Sequence, residues 1–349
     1  MGIRFNQSEL RKRSSYFSRP RPFHQGTLGH RDLVAPGQNR RAQRLLQVFL
    51  VLCLGWSRLV FAAAERELIR DSHFQHGFFL IDPKPGTRVP YGELPGPNPG
   101  QPAWDLAQWS SRFPLRAGTG AINAESIVWT NAAKTVLVGL PGKATADLSL
   151  GVNAGAEYAR ARRSTAEPWV HLLVQQDLED SPSLGGLAAC KFHLEARLKR
   201  SVLITTNDYS PSLHAAQFLV YLTVANRNPK AAGYQECLWF GIPIYDNRNR
   251  VVPAYEAQDF GDTKLFIFTP ASDNFTRQSV HDGTWVTFEK DLLPLLRQAI
   301  EHARAKGFIK GSADLADYWP LGIFIGWEVP GVFDLDLQIR NLCLKAVSP

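Results

Sequence analysis

Phe333-Asp334-Leu335-Asp336-Leu337-Gln338-Ile339-Arg340 alternates apolar and polar side chains without a break. Successive side chains of a strand point to opposite faces, so this run is a half-buried strand with one face in a core. Leu187–Lys199 repeats the pattern. Lys191, His193, Glu195, Arg197 and Lys199 share one face, and Cys190, Phe192, Leu194, Ala196 and Leu198 share the other. Working outward, β-rich runs occupy Ser126–Thr130, Thr135–Leu140, Asp147–Val152, Trp169–Gln175, Gln217–Ala225, Glu236–Tyr245, Lys264–Thr269, Thr284–Glu289 and Leu321–Glu328, and the last strand extends over Phe333–Ala346. Turn clusters such as Asn226-Arg227-Asn228-Pro229 and Asp246-Asn247-Arg248-Asn249 separate them. Many short strands at this spacing predict an all-β sandwich or barrel. One helix interrupts them. Leu292, Leu296, Ala299, Ile300 and Ala303 form a single apolar stripe, with Asp291 as N-cap, Pro294 in the first turn and Gly307 as the stop. Such a helix packs across the outside of a sheet.

The 349-residue chain carries 39 Lys/Arg against 32 Asp/Glu, a formal charge of +7. Of these, 11 Lys/Arg and 2 Asp/Glu fall in residues 1–64, which leaves 28 against 30 in the rest. The body is near neutral and needs no nucleic-acid partner. At 44% hydrophobic and 20% charged residues the chain is not a disordered one. No uncharged apolar stretch is long enough for a polytopic membrane protein. Arg40, Arg41 and Arg44 precede Leu45–Leu54, and Ala62-Ala63-Ala64 follows, the pattern of a basic leader with a secretory signal over residues 1–64. The expected localisation is secreted or periplasmic, with no membrane association after cleavage and a monomeric body. Residues 65–116 are crowded with Pro83, Pro85, Pro90, Pro95, Pro97, Pro99 and Pro102, and are expected to wrap the domain as an extended arm anchored by Trp104 and Trp109. The sandwich itself is placed at 117–349. Cys190, Cys237 and Cys343 remain after the leader, so at most one disulfide forms, and small buried hydrophobes are the plain reading.

No nucleotide loop, HExxH or GxSxG motif is present, and His73 and His76 lack an acidic third ligand nearby. No metal or cofactor is assigned, although loop carboxylates such as Asp246 or Asp259 are of the type that holds structural calcium. What remains is carboxylates and aromatics on strands, the equipment of carbohydrate chemistry. Glycoside cleavage needs two carboxyl groups, one protonated and one ionised. Glu328 ends the run Gly322–Glu328, with Gly326 on its own face leaving open space beside the carboxyl. Glu236 is the second carboxylate. Strict alternation places it with Leu238, Phe240, Ile242 and Ile244, opposite Trp239, Gly241 and Tyr245, so it sits at a sheet edge or beside a buried cation unless a bulge intervenes. Trp239 and Tyr245 offer a sugar platform. His193, Glu195 and Arg197 form a polar row that either lines a cleft or is a solvated face.

From about Phe218 to Ala346 the order of elements resembles the jelly-roll endoglucanases of glycoside hydrolase family 12. The resemblance rests on Glu236 upstream of Trp239, Trp285–Phe288, the helix Asp291–Ala305, Gly307-Phe308, Gly326-Trp327-Glu328 and the closing strand. It implies a jelly-roll (concanavalin-like) β-sandwich with Glu236 as nucleophile and Glu328 as general acid/base. A retaining mechanism requires those carboxyls about 5–5.5 Å apart. Three function classes stay open on the residues: a glycoside hydrolase acting on a polysaccharide, a non-catalytic carbohydrate-binding module, and a structural envelope or surface protein. Two facing carboxyls mark the first, and aromatics with amides alone mark the second.

Overall fold

A computed structural model describes residues 64–82, 84, 88–204, 208–259 and 263–349. The leader, Pro83 and Pro85 lie outside the described residues. The strands are β1 (Glu65–Glu67), β2 (Gly77–Ile81), β3 (Pro90–Pro95), β4 (Trp104–Ala107), β5 (Ala121–Ile122), β6 (Ser126–Thr130), β7 (Lys134–Gly139), β8 (Leu148–Asn153) and β9 (Val170–Asp177). They continue as β10 (Ala189–Leu203), β11 (Gln217–Asn226), β12 (Cys237–Asp246), β13 (Tyr255–Gln258), β14 (Phe266–Thr269), β15 (Val286–Asp291), β16 (Tyr318–Val329) and β17 (Phe333–Val347). Two α-helices are described, α1 (Ala154–Glu157) and α2 (Leu293–Ala305). All eleven expected strands are present, most within two residues of their expected ends.

The strands form two sheets. The smaller runs β15-β10-β17-β8-β7-β6-β5, with β1 also on β17; the larger runs β13-β14-β12-β11-β16-β9-β4-β2-β3. A single main core lies between them, drawn from alternate residues of both: Phe192, Leu194, Leu335 and Leu337 from one sheet, and Phe218, Val220, Phe240, Ile325 and Trp327 from the other. Trp327 ties the layers together. Its indole N–H donates to the Leu150 carbonyl of β8 at 2.8 Å, and its ring meets Phe218 edge-on at 5.1 Å. The architecture is the expected β-sandwich.

The Pro-rich segment is more integral than a wrapping arm. It supplies β1 to the smaller sheet and β2, β3 and β4 to the larger. Proline is tolerated because Pro90 and Pro95 end β3, the edge strand, whose outer side needs no ladder partner. Trp104–Ala107 contains no proline, and β4 is hydrogen-bonded on both sides, parallel to β2 and antiparallel to β9. Trp104 and Trp109 are buried, as their anchoring role requires.

Helix α2 buries Leu296, Ala299, Ile300 and Ala303, the stripe that the periodicity predicts. It touches β10 of one sheet and β12 and β14 of the other, so it closes one side of the sandwich. Asp291 accepts the Leu293 N–H at 3.1 Å. At the C-terminus Phe308 N–H reaches Ala303 O and Gly307 N–H reaches Arg304 O, a Schellman motif with Gly307 at φ +78°. Cys190, Cys237 and Cys343 are all free thiols.

Candidate active site

The face of the larger sheet turned away from the core carries the site. Register sets its members. Glu328 of β16 lies opposite Gln217 of β11 and His171 of β9. Phe324 lies opposite Tyr221 and Gln175, and Thr223 opposite Trp239. Of these, Glu328, Gln217, Phe324, Tyr221 and Trp239 floor a cavity of ≈ 440 Å³ whose walls include Trp109, Trp169, Tyr255, Asp246 and Asp259. That volume falls within the range of small-molecule sites. Trp239 stands in it as expected, edge-on to Tyr221 at 5.8 Å and to Phe324 at 5.1 Å.

Glu328 is half-buried at the cavity floor. Burial first, and the nearby Asp259 charge second, push its carboxyl up to about 7, against the opposing effect of the neighbouring Trp169 indole. A carboxyl that holds its proton near neutrality is a general acid in waiting. Asp259 follows β13. Its Oδ2 accepts the Thr263 hydroxyl, and Thr263 Oγ1 in turn accepts the Trp239 indole N–H at 3.4 Å. The aromatic wall therefore helps to orient the second carboxylate. The Tyr221 phenol is held well above its usual range, first by burial and then by Glu328 and Asp259. Tyr255 is raised by the same causes. Three carboxyls, those of Glu328, Asp259 and the Arg248-paired Asp246, and two phenols thus line one cavity.

Beside Glu328, His171 is buried with its ring 5.7 Å from Trp109 and 5.6 Å from Trp169. Burial pushes its pKa down to about 3. Neutral and without a hydrogen bond on either ring nitrogen, it packs behind the two indoles that line the cavity. Arg162 lies over the Trp169 ring at 5.1 Å and is itself anchored by backbone carbonyls, among them Glu167 O at 3.0 Å and Leu213 O at 3.2 Å.

Several expected site residues lie elsewhere. Glu236 precedes β12 at the far end of the β11–β12 hairpin. Its carbonyl receives Asn226 N–H, whereas Glu328 pairs with Gln217. Nine residues of β11 at ~3.3 Å each put the two backbone positions about 30 Å apart, beyond the reach of two glutamate side chains, so Glu236 is not the partner of Glu328. Its carboxylate accepts the backbone N–H groups of Lys310 and Gly311 at 3.0 and 3.1 Å, a structural role. Tyr245 is in the core. A bulge in β12 pairs Phe218 with Tyr245 but Leu219 with Pro243, so the extra residue Ile244 reverses parity beyond it. The Tyr245 hydroxyl donates to Ser201 Oγ at 2.7 Å, and its ring packs on Trp327 at 5.7 Å.

His193, Glu195 and Arg197 lie on β10, on the outward face of the opposite sheet. Glu195 is held by Arg340 at 2.7 Å and Asn341 at 2.7 Å. Arg197 and Arg340 both stack on Trp285, at 4.8 and 4.2 Å. His193 sits between Glu195 and Glu289. This is the solvated-face reading of that row. Gly326 does not make room for a ligand either. A Cβ there would lie 2.2 Å from the Leu172 carbonyl oxygen, and φ is +148°, so glycine serves the close approach of β9.

No group of three or more His, Cys, Asp or Glu that could hold a metal ion occurs among the described residues. Asp246 is committed to Arg248 at 2.5 Å and Gln217 at 2.8 Å, and His73 and His76 pair with different carboxylates, Asp147 and Asp71. Sequence reasoning weighed Asp259 only as a calcium ligand and passed over Tyr221. The alternation Leu219, Tyr221, Thr223 within β11 carried a signal for Tyr221; Asp259 sits in a connection and carried none.

No known family profile and no curated protein matches the sequence. Solved structures do. Endoglucanase Cel12A from Rhodothermus marinus aligns at 12% identity over 70% of this chain and 99% of that one, with a TM-score of 0.36. The family 11 xylanase from Neocallimastix patriciarum aligns at 8% identity, 70% and 99% coverage and a TM-score of 0.35. The xyloglucanase domain of NopAA, a type three effector from Sinorhizobium fredii in complex with cellobiose, aligns at 7% identity, 69% and 98% coverage and a TM-score of 0.35.

Proposed function

We propose that this protein is a glycan-acting hydrolase in which Glu328 is the general acid and Asp259 the ionised partner. The observation that carries the reading is a carboxyl raised to about 7 in an aromatic-walled cavity beside a second carboxylate. Glycosidic cleavage needs that division of labour. Glu328 delivers its proton to the leaving oxygen as the C1–O bond breaks. Asp259 stabilises the positive charge that develops at the anomeric carbon, and water completes the hydrolysis. Trp239, Tyr221 and Trp169 present ring faces and edges to the sugar, and Gln217 presents an amide. The leader over residues 1–64 supports export to where polysaccharides are met.

The test is release of reducing sugar from cellulose-, xyloglucan- and xylan-type polymers. Wild type and Glu236→Gln release sugar at similar rates, and Glu328→Gln and Asp259→Asn lose at least a hundredfold. Retained activity in Glu328→Gln overturns the assignment. Tight binding with no release by wild type overturns catalysis and favours the binding-module reading. The anomer first formed assigns Asp259 as nucleophile or as general base.

A further inference from the structure

A polymer cut in its interior must lie across the sheet on both sides of the acid. The outward face of the larger sheet is open on only one side of Glu328. Toward β11, β12 and β14 it carries the half-exposed Tyr221, Trp239 and Ile267, with Tyr255 exposed at the rim. Toward β9, β4 and β2 the same face is sealed. Leu173, Ala107 and Ile81 occupy successive cross-strand positions on it, and with Trp109 they form a second apolar cluster, each 5% exposed or less, packed against Phe324. Farther along β9 and β4, Asp105 and Gln175 are buried too, at 6% and 4%. Arg88, from the β2–β3 connection, lies over them. It pairs with Asp105, and with Asp177 at 2.7 Å. Gln175 donates to the same Asp105 at 3.2 Å. The groove floor that a threaded chain would need is covered by a hydrophobic plug and an ion-paired strap.

We propose that the cavity is blind on its β9 side and takes a glycan terminus or a short oligosaccharide rather than an internal stretch of polymer. The inference deepens the glycosidase reading and rests on it for cleavage, but not for binding. The cavity's volume suits a few sugar units, and Trp109 and Trp169, backed by the buried His171, end it beside Glu328. Cleavage then removes small units from one end of a chain.

The test pairs viscosity with reducing-end release on a soluble β-glucan. Wild type is expected to release mono- or disaccharide while specific viscosity falls by less than a tenth at one per cent of bonds cleaved. A steep viscosity drop with mixed oligosaccharide products overturns the inference while leaving the glycosidase reading intact. Trp109→Ala, which opens the plug, raises the viscosity loss per bond cleaved severalfold. If no substrate is cleaved, the glycosidase reading fails, and binding decides alone. Titration of Glu328→Gln with a hexasaccharide carrying a bulky cap on one end or the other should weaken affinity at least tenfold for one of the two capped forms. Equal affinity for both capped and uncapped forms, or no binding of any, overturns the blind cavity.

Discussion

Replacing Glu328 by glutamine removes one titration and leaves the shape, which makes it a direct probe of the acid's environment. A carboxyl raised from 4.5 to about 7 in the folded state makes the native protein bind more protons than the unfolded chain between those pH values. Stability contributed by neutral Glu328 is therefore fully present below pH 4.5 and is lost as pH rises through about 7. The whole displacement corresponds to about 3 kcal/mol, most of which falls between pH 5 and 8. The glutamine side chain does not ionise, so the variant escapes that loss. Urea unfolding of both proteins at pH 5, 6, 7 and 8 gives the difference directly, and other groups that titrate alike in both cancel. The stability of Glu328→Gln relative to wild type should climb by about 2–3 kcal/mol across that range, close to 1 M in midpoint for an m-value near ~3 kcal/mol/M. Because the Asp259 charge is the second cause, Asp259→Asn should shrink the climb without abolishing it. A wild-type-to-variant difference that stays flat from pH 5 to 8 would refute the picture of a proton held by burial, and the general-acid role with it.

Three further outcomes follow from contacts other than those of the acid itself. Lys134 and Glu157 form a fully buried ion pair that also engages Ser111 and the Arg112 N–H; Lys134→Met strands the Glu157 charge and should cost about 3–5 kcal/mol in urea unfolding, and adding Glu157→Gln should recover part of it. Glu236→Gln weakens the anchoring of the Lys310 and Gly311 N–H groups and should cost about 1 kcal/mol, with sugar binding measured by calorimetry unchanged. Trp327→Ala removes the ring that bridges the sheets next to Glu328 and should cost about 3–5 kcal/mol, read as a lower thermal midpoint.

The fold was legible because alternation is a local property. In β10 and β17, polar residues at every second position assign the faces, and between the two register slips, over Glu195–Leu198 against Leu337–Arg340, the pairing agrees with that assignment. The helix was legible for the same reason: one stripe, one proline and one glycine suffice for an isolated amphipathic element. The strands β2 to β4 were hidden by the prolines between and around them. Proline density reads as loop, yet proline is forbidden only where a ladder N–H is needed, and the ends of an edge strand paired on one side only leave room for it.

The site escaped the same logic because it depends on two things that alternation does not encode. One inserted residue, Ile244, flips the faces of β12 beyond it, so Trp239 faces the cavity while Tyr245 turns into the core. A bulge is set by how β11 and β12 slide past each other, and its one local sign is Pro243, a proline inside a strand paired on both sides. The second is pairing across the sheet. Glu328 and Asp259 belong to segments almost seventy residues apart, and Asp259 comes from the end of a rim strand, not from the hairpin that carries Trp239. Glu236 offered itself because it is near Trp239 in sequence, but adjacency along a strand lies at right angles to adjacency across a sheet. The carboxylate whose charge acts on Glu328 across the cavity is Asp259, which follows β13 at the rim of the β13-β14-β12-β11-β16 order.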